Sequence, residues 1–253
     1  MVPAFVGALQ APGPVPWTQP AEVDTMELQQ LFSTMAVELS PQTDTEALES
    51  IGQYACRAVD ADDSGILLLR ARGRIETPVS TSRVVNEAHA RQAELDEGPC
   101  LDVVRTDTSV LFTGDAAHDP RWPQWGVYAE DRGYSSSLSV RLAVGDRRYG
   151  SLNVYARRRD AFSTSDVDAL SVLGAHASVA LAAAQERAHL MRAVDNRTTI
   201  GQAQGVLMTV FDIDAESAFA YLTRLSQGRN VKLSEVAAEI VDRRSEIRSR
   251  SEG

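Results

Sequence analysis

Two runs of alternating residues, Ser137–Val144 and Tyr149–Ala156, meet at Gly145-Asp146, and no comparable alternation returns after Phe162. A period of two marks a half-buried strand, and a short Gly-containing joint marks a hairpin. Leu138, Val140 and Leu142 share one face of the first run, and Leu152 and Val154 share one face of the second. A hairpin of this kind is stable only within a larger sheet, so further strands have to lie upstream. Ile66–Leu69, Ile75–Ser80 and Ser109–Thr113 read as those strands, with Arg72-Gly73 as the turn between the first two.

Helical patterns are interleaved with them. Leu28, Leu31, Phe32, Met35 and Leu39 recur at helical spacing and stop before Pro41. Thr43-Asp44-Thr45-Glu46 has the spacing of a capping box and opens a helix whose stripe is Leu48, Ile51, Tyr54, Ala55 and Val59. Val84–Leu95, a short stretch from Cys100 to Val104, and Trp122–Asp131 add three more helices. Strands and helices mixed around an antiparallel hairpin predict an α+β sandwich over roughly 23–163. Residues 1–22 are rich in Pro, Ala and Gly without apolar period and read as a disordered arm.

Beyond Phe162 there is no proline. Leu170, Leu173, Ala177, Ala180, Ala184, Ala188 and Met191 step by three or four residues along one long helix. Two readings stand for this stripe: the seam of a coiled-coil homodimer over 164–198, or packing of the helix on its own domain. The helix continues through Val206-Leu207-Met208, and Ala215–Leu225 and Leu233–Val241 follow it. Ala203, Leu207, Phe211, Ala218, Phe219, Leu222, Leu233, Val236, Ala237 and Ile240 are the expected core of this three-helix unit. Residues 244–253 form a basic tail.

The net charge of −10 argues against nucleic-acid binding by the whole surface, but it is unevenly placed. Residues 1–186 hold 15 basic and 26 acidic side chains, whereas 187–253 hold 10 and 9, so the last quarter is a separate electrostatic object. Apolar runs are only a handful of residues long, and residues 1–20 lack Lys and Arg. A soluble, cytoplasmic protein without a membrane partner is therefore expected. Cys56 and Cys100 cannot form a disulfide framework or a zinc site, and the four histidines lack metal-ligand spacing.

Ile200-x-Gln202-Ala203-x-Gly205-Val206-Leu207-Met208, followed by Ala218-Phe219-x-x-Leu222, Ser226, Asn230, Lys232-Leu233 and Val236-Ala237, resembles an ANTAR domain, the RNA-binding output module of bacterial antitermination regulators. The resemblance spans 182–243. Gln204 departs from it, standing where that family usually has lysine. Given this ending, the upstream region resembles a GAF domain, with Glu97-Gly98-Pro99-Cys100-Leu101 and Gly150-x-Leu152-x-Val154 fitting actinobacterial members. Together they imply a GAF-type sandwich with a six-stranded antiparallel sheet and a pocket on one face, then a long helix and a three-helix all-α domain. The implied function is a signal-responsive, non-enzymatic regulator that binds hairpins in nascent RNA. The implied partners are RNA and a small-molecule ligand in the GAF domain, with cofactor and signal unspecified.

Within this frame Arg197, Gln202, Gln204, Arg224, Ser226, Arg229, Asn230 and Lys232 are the candidate RNA-binding residues. Single-stranded RNA loops are read by amides, hydroxyls and guanidinium planes as well as by charge. Asn230 has a rival role as the cap of the third helix. Cys100, Trp122, Trp125 and Tyr128 are the candidate sensor-pocket residues, the aromatics falling at i, i+3 and i+6. Cys100 stands at a helix start that would lower its pKa, so a redox-sensing thiol remains open beside a buried structural one. Asp115, His118 and Asp119 suggest either a metal cluster or a turn at Asp119-Pro120. Arg157-Arg158-Arg159 reads as a solvated turn. A ligand-binding adaptor whose C-terminal helices contact protein is the alternative function.

Overall fold

The computed structural model describes residues 44–70 and 73–243. The arm over 1–22, the Leu28–Leu39 helix, the cap at Thr43, Arg72 and the basic tail from 244 lie outside the described residues. The elements run α1 (Asp44–Ala58), β1 (Asp63–Leu69), β2 (Ile75–Ser80), α2 (Arg83–Leu95), α3 (Pro99–Arg105), β3 (Val110–Thr113), a 3-10 turn (Ala116–His118), α4 (Pro123–Asp131), β4 (Ser136–Val144), β5 (Arg147–Ala156), α5 (Thr164–Phe211), α6 (Ala215–Arg229) and α7 (Leu233–Asp242). The chain divides into two compact units after Ala180.

In the first unit five strands pair antiparallel in the order β2-β1-β5-β4-β3. Six strands were implied by resemblance; among the described residues there are five. Ile66-Leu67-Leu68 is apolar throughout because helices cover both faces of the sheet at β1, and all three are at most 2% exposed. Register assigns the faces. Ile66 pairs with Leu152, Leu152 with Val140 and Val154 with Leu138, giving an apolar face. Ser64 on that face donates its hydroxyl to Gly52 O of α1 at 2.7 Å. Gly65 pairs with Asn153, Asn153 with Ser139 and Tyr155 with Ser137, giving the opposite face, where Val85 and His89 of α2 press on Gly65.

The start of α5 also lies on the apolar face. A Cβ at Gly174 would sit 2.8 Å from Val140 Cγ2, so glycine is what lets helix and strand meet. One turn on, Ser178 Oγ accepts from Ala143 N at 2.9 Å, where the β4–β5 register shifts between Leu142 and Ala143. A bulge frees a backbone N–H from the ladder, and α5 supplies its acceptor. Leu170, Leu173 and Ala177 are fully buried here, so the first half of the expected dimer stripe packs on its own domain. The large apolar residues that α5 leaves exposed before its last turns are Val172, Val179, Leu190, Met191 and Val194. The apolar runs understate this helix: by length and composition alone α5 could cross a membrane, the one such helix among the described residues.

The second unit has its core at Ala203, Leu207, Ala218, Leu222, Val236, Ala237 and Ile240. Phe211 and Phe219, expected in that core, are instead 51% and 45% exposed. Fully buried Ala203, Ala218 and Ala237 draw the three helices together and leave no room for phenyl rings between them.

Candidate functional site

The face of the sheet that α2 and α3 cover is polar where packing alone would make it apolar. Ser137, Ser139, Ser151, Asn153 and Tyr155 project from β4 and β5 and are at most 1% exposed. Buried polar groups have to find partners, and here helices α2 and α3 provide most of them. Gln92 Oε1 accepts from Cys100 N at 2.9 Å and Leu101 N at 3.4 Å, serving amides of the first turn of α3 that have no intrahelical acceptor. Its Nε2 donates to Cys100 Sγ at 3.0 Å. Gly98, at φ 136°, makes room, since a Cβ there would fall 2.3 Å from Gln92 Oε1.

The same loop fastens the next helix. Glu97 Oε1 accepts from Gln124 N and Trp125 N at 2.6 and 2.5 Å, capping the start of α4, and Asp102 Oδ2 accepts from Trp122 Nε1 at 2.7 Å. Gln92, Glu97 and Asp102 were not expected from sequence. Local spacing signals only local caps, and the amides Glu97 holds are 27 and 28 residues ahead.

Cys100 Sγ also lies 3.0 Å from Tyr155 OH and accepts from Ser139 Oγ at 3.6 Å. Burial pushes the Cys100 thiol up and outweighs these hydrogen bonds, reversing the expectation of a lowered pKa at a helix start. Tyr155 stacks on Tyr134 at 4.9 Å, and burial raises both phenols. Tyr134 OH donates to Asp63 Oδ2 at 2.7 Å.

His89 completes the network. Nδ1 is 3.0 Å from Thr77 Oγ1 and Nε2 is 3.3 Å from Asn153 Nδ2. The Asn153 amide donates also to Gly65 O and Ser151 O, which fixes its orientation. Nε2 therefore accepts, and the proton of the neutral ring sits on Nδ1. Full burial lowers the His89 pKa to about 3. Two buried atoms of this face, Ser137 Oγ and Asn153 Oδ1, have no hydrogen-bond partner among the described residues.

Of the expected sensor residues, Cys100, Trp122 and Trp125 do share one core cluster. The indoles meet edge to face at 6.2 Å. Tyr128 does not join them. Helical rotation turns it toward the surface, half-buried between the guanidiniums of Arg91 and Arg132. Asp115 pairs with His118 and Arg159, and Asp119 with Arg121. Among the described residues no group of three or more His, Cys, Asp or Glu converges on a metal position. Arg157, Arg158 and Arg159 are each tied to acids (Asp62, Asp60, and Asp115 with Glu130), so the run is an ion-pair cluster rather than an open turn.

In the second unit the eight RNA candidates separate into anchored and open side chains. Gln204 Nε2 donates to Ala215 O at 3.2 Å, Ser226 Oγ to Val231 O at 2.7 Å, and Arg229 grips Glu239 at 2.7 and 3.0 Å. Asn230, at φ 51° and ψ 42°, caps the end of α6 rather than the helix that follows. Arg197, Gln202 and Arg224 are exposed, and Lys232 is 83% exposed with Glu235 4.0 Å away. Gln204 reaches the start of α6 and Asn230 stands at its end. Fifteen residues at about 1.5 Å each put those ends roughly 20 Å apart. Asn230 and Lys232 flank one turn; Gln204 is not beside them.

Residues 42–182 match the GAF domain family and residues 188–241 the ANTAR domain family. The first match spans more than half of the chain: this protein belongs to the GAF domain family and carries an ANTAR domain behind its GAF domain. ANTAR domains serve RNA-binding antitermination regulation, and GAF domains serve ligand sensing. Among solved structures, the GAF domain of a phosphoenolpyruvate-protein phosphotransferase from Coxiella burnetii is similar at 15% identity and a TM-score of 0.54, over 66% of this chain and 99% of that one. The photosensory core module of Stigmatella aurantiaca phytochrome is similar at 12% identity and 0.57, over 83% of this chain and 47% of that one. At such identities the likeness is one of fold. No curated protein matches the chain significantly.

Proposed function

We propose that this protein is a cytoplasmic, signal-responsive regulator that binds hairpins in nascent RNA and favours antitermination. The observation that carries the reading is the GAF–ANTAR order on one path: α5 is gripped by β4 at Gly174 and Ser178, then runs unbroken to Phe211 inside the ANTAR match. The sensor occupies 23–163, the connector 164–198 and the RNA module 182–243. A signal received by the sensor shifts the population of α5 arrangements, and RNA affinity follows.

The module works as a homodimer through the exposed side of α5, where Val172, Val179, Leu190 and Val194 lie. Helices with a repeating exposed apolar side associate to bury it. Open Lys232 contacts phosphate, while Gln202 and Asn230 present amides to base edges. Deep burial of Cys100 disfavours thiol redox sensing.

Titration of fluorescent stem-loop RNA with the full chain at several salt concentrations tests this. Lys232→Ala is expected to flatten the slope of log affinity against log salt by about one unit. Salt-independent binding, or none, defeats the reading.

A further inference from the structure

We propose that Phe219 is the platform on which an unstacked base of an RNA loop lies; this rests on the RNA-binding reading above and adds a base-contacting residue to it. The ring is 45% exposed in a unit whose core is otherwise closed by alanine, leucine, valine and isoleucine. Residues at i, i+4 and i+7 share one side of a helix, so Phe219 lies in line with Thr223 and Ser226, and Asn230 caps the end of that helix. That line ends at the turn carrying open Lys232. It thus sets an aromatic face, an amide and a cation along one edge of α6. Loop RNA offers a matching set: a base to stack, base edges to hydrogen-bond and a phosphate to neutralise.

The other exposed ring of this unit supplies the contrast. Phe211 leans on Tyr221 at 5.9 Å, at the end of α5, and Asp212 and Asp214 follow it directly in the chain. Carboxylates there repel a phosphate backbone, so RNA is steered to the Phe219 edge.

The full-length protein is titrated into three RNAs: a stem with a purine loop, the same stem with abasic loop nucleotides, and the blunt duplex of that stem. Phe219→Leu keeps apolar bulk without a ring, Phe219→Trp keeps a ring, and Phe211→Leu is the control, with circular dichroism verifying that each folds. Phe219→Leu should weaken purine-loop binding roughly 5- to 150-fold, as loss of one stacked base does. Phe219→Trp and Phe211→Leu should bind as wild type, and on the abasic loop wild type and Phe219→Leu should bind alike. The proposal is overturned if Phe219→Leu binds the purine loop normally, or weakens blunt duplex equally. A change in sedimentation of Phe219→Leu overturns it too, since the ring then belongs to a contact between protein chains. Failure of the wild type on every RNA removes the RNA-binding reading itself, a result distinct from failure of the single variant.

Discussion

At pH 5 an imidazole in an unfolded chain carries a proton, whereas His89 in the folded sensor stays neutral. Its folded pKa of about 3 lies below the ordinary 6.5. The unfolded state therefore binds more protons across that window, and stability falls as pH drops from 6.5 towards 3. Each pH unit is worth about 1.4 kcal/mol, so about 2 kcal/mol is gone at pH 5. Against a total of about 5–15 kcal/mol for a domain, that is a substantial fraction. Among the described residues nothing ionised sits against the ring: its partners are Thr77, Asn153 and the Tyr155 ring at 6.1 Å, the last held neutral by burial. Urea unfolding followed through buried Trp122 and Trp125 measures the effect at pH 7, 6 and 5, in wild type and His89→Gln. The variant is expected to be less stable at pH 7 but to lose about 1.4 kcal/mol less per pH unit below 6. Carboxylates elsewhere contribute equally to both proteins and cancel. Parallel stability–pH lines would refute the assignment of a neutral, buried His89.

Asn230→Gly should leave the melting temperature unchanged, because glycine accepts the left-handed cap, while Asn230→Ala should cost about 1 kcal/mol; RNA binding lost in Asn230→Gly would then isolate the amide's contact from its cap. Glu97→Ala should destabilise the sensor by about 0.5–2 kcal/mol in thermal unfolding, as loss of a helix cap does, with Glu97→Gln restoring part of it. Val179→Glu with Leu190→Glu should give monomers in sedimentation velocity at micromolar concentration, and a monomeric wild type would end the dimer proposal.

The hairpin was legible because alternation and the Gly145-Asp146 joint are local, and Ile75–Ser80 emerged with the bounds read from sequence. The long helix was legible because nothing breaks it before Phe211. Which side of it faces home was not. Leu170, Leu173 and Ala177 repeat at a spacing that fits a sheet or a partner helix equally, and only the approach of Gly174 to Val140 decides. Phe211 and Phe219 misled because hydrophobicity predicts burial only where space exists, and three central alanines remove it. Tyr128 misled because i+6 carries a side chain away from the core that holds Trp125. The polar network was invisible because its members, from Thr77 to Tyr155, are joined by strand register rather than by spacing.

Strand β4 sorts its residues by parity. Ser137 and Ser139 face the buried network, while Leu138, Val140 and Leu142 face the side on which α5 lies. Divergence can therefore rewrite the buried polar network at odd positions and leave the face under α5 at even positions intact. Substitution suffices for that. A one-residue insertion at the start of the strand, before Ser137, would exchange the two sets in a stroke, putting serine under the helix and leucine among the hydrogen bonds. Lineages descended from such a chain are expected to vary in the odd-numbered side chains of this strand and to keep its length.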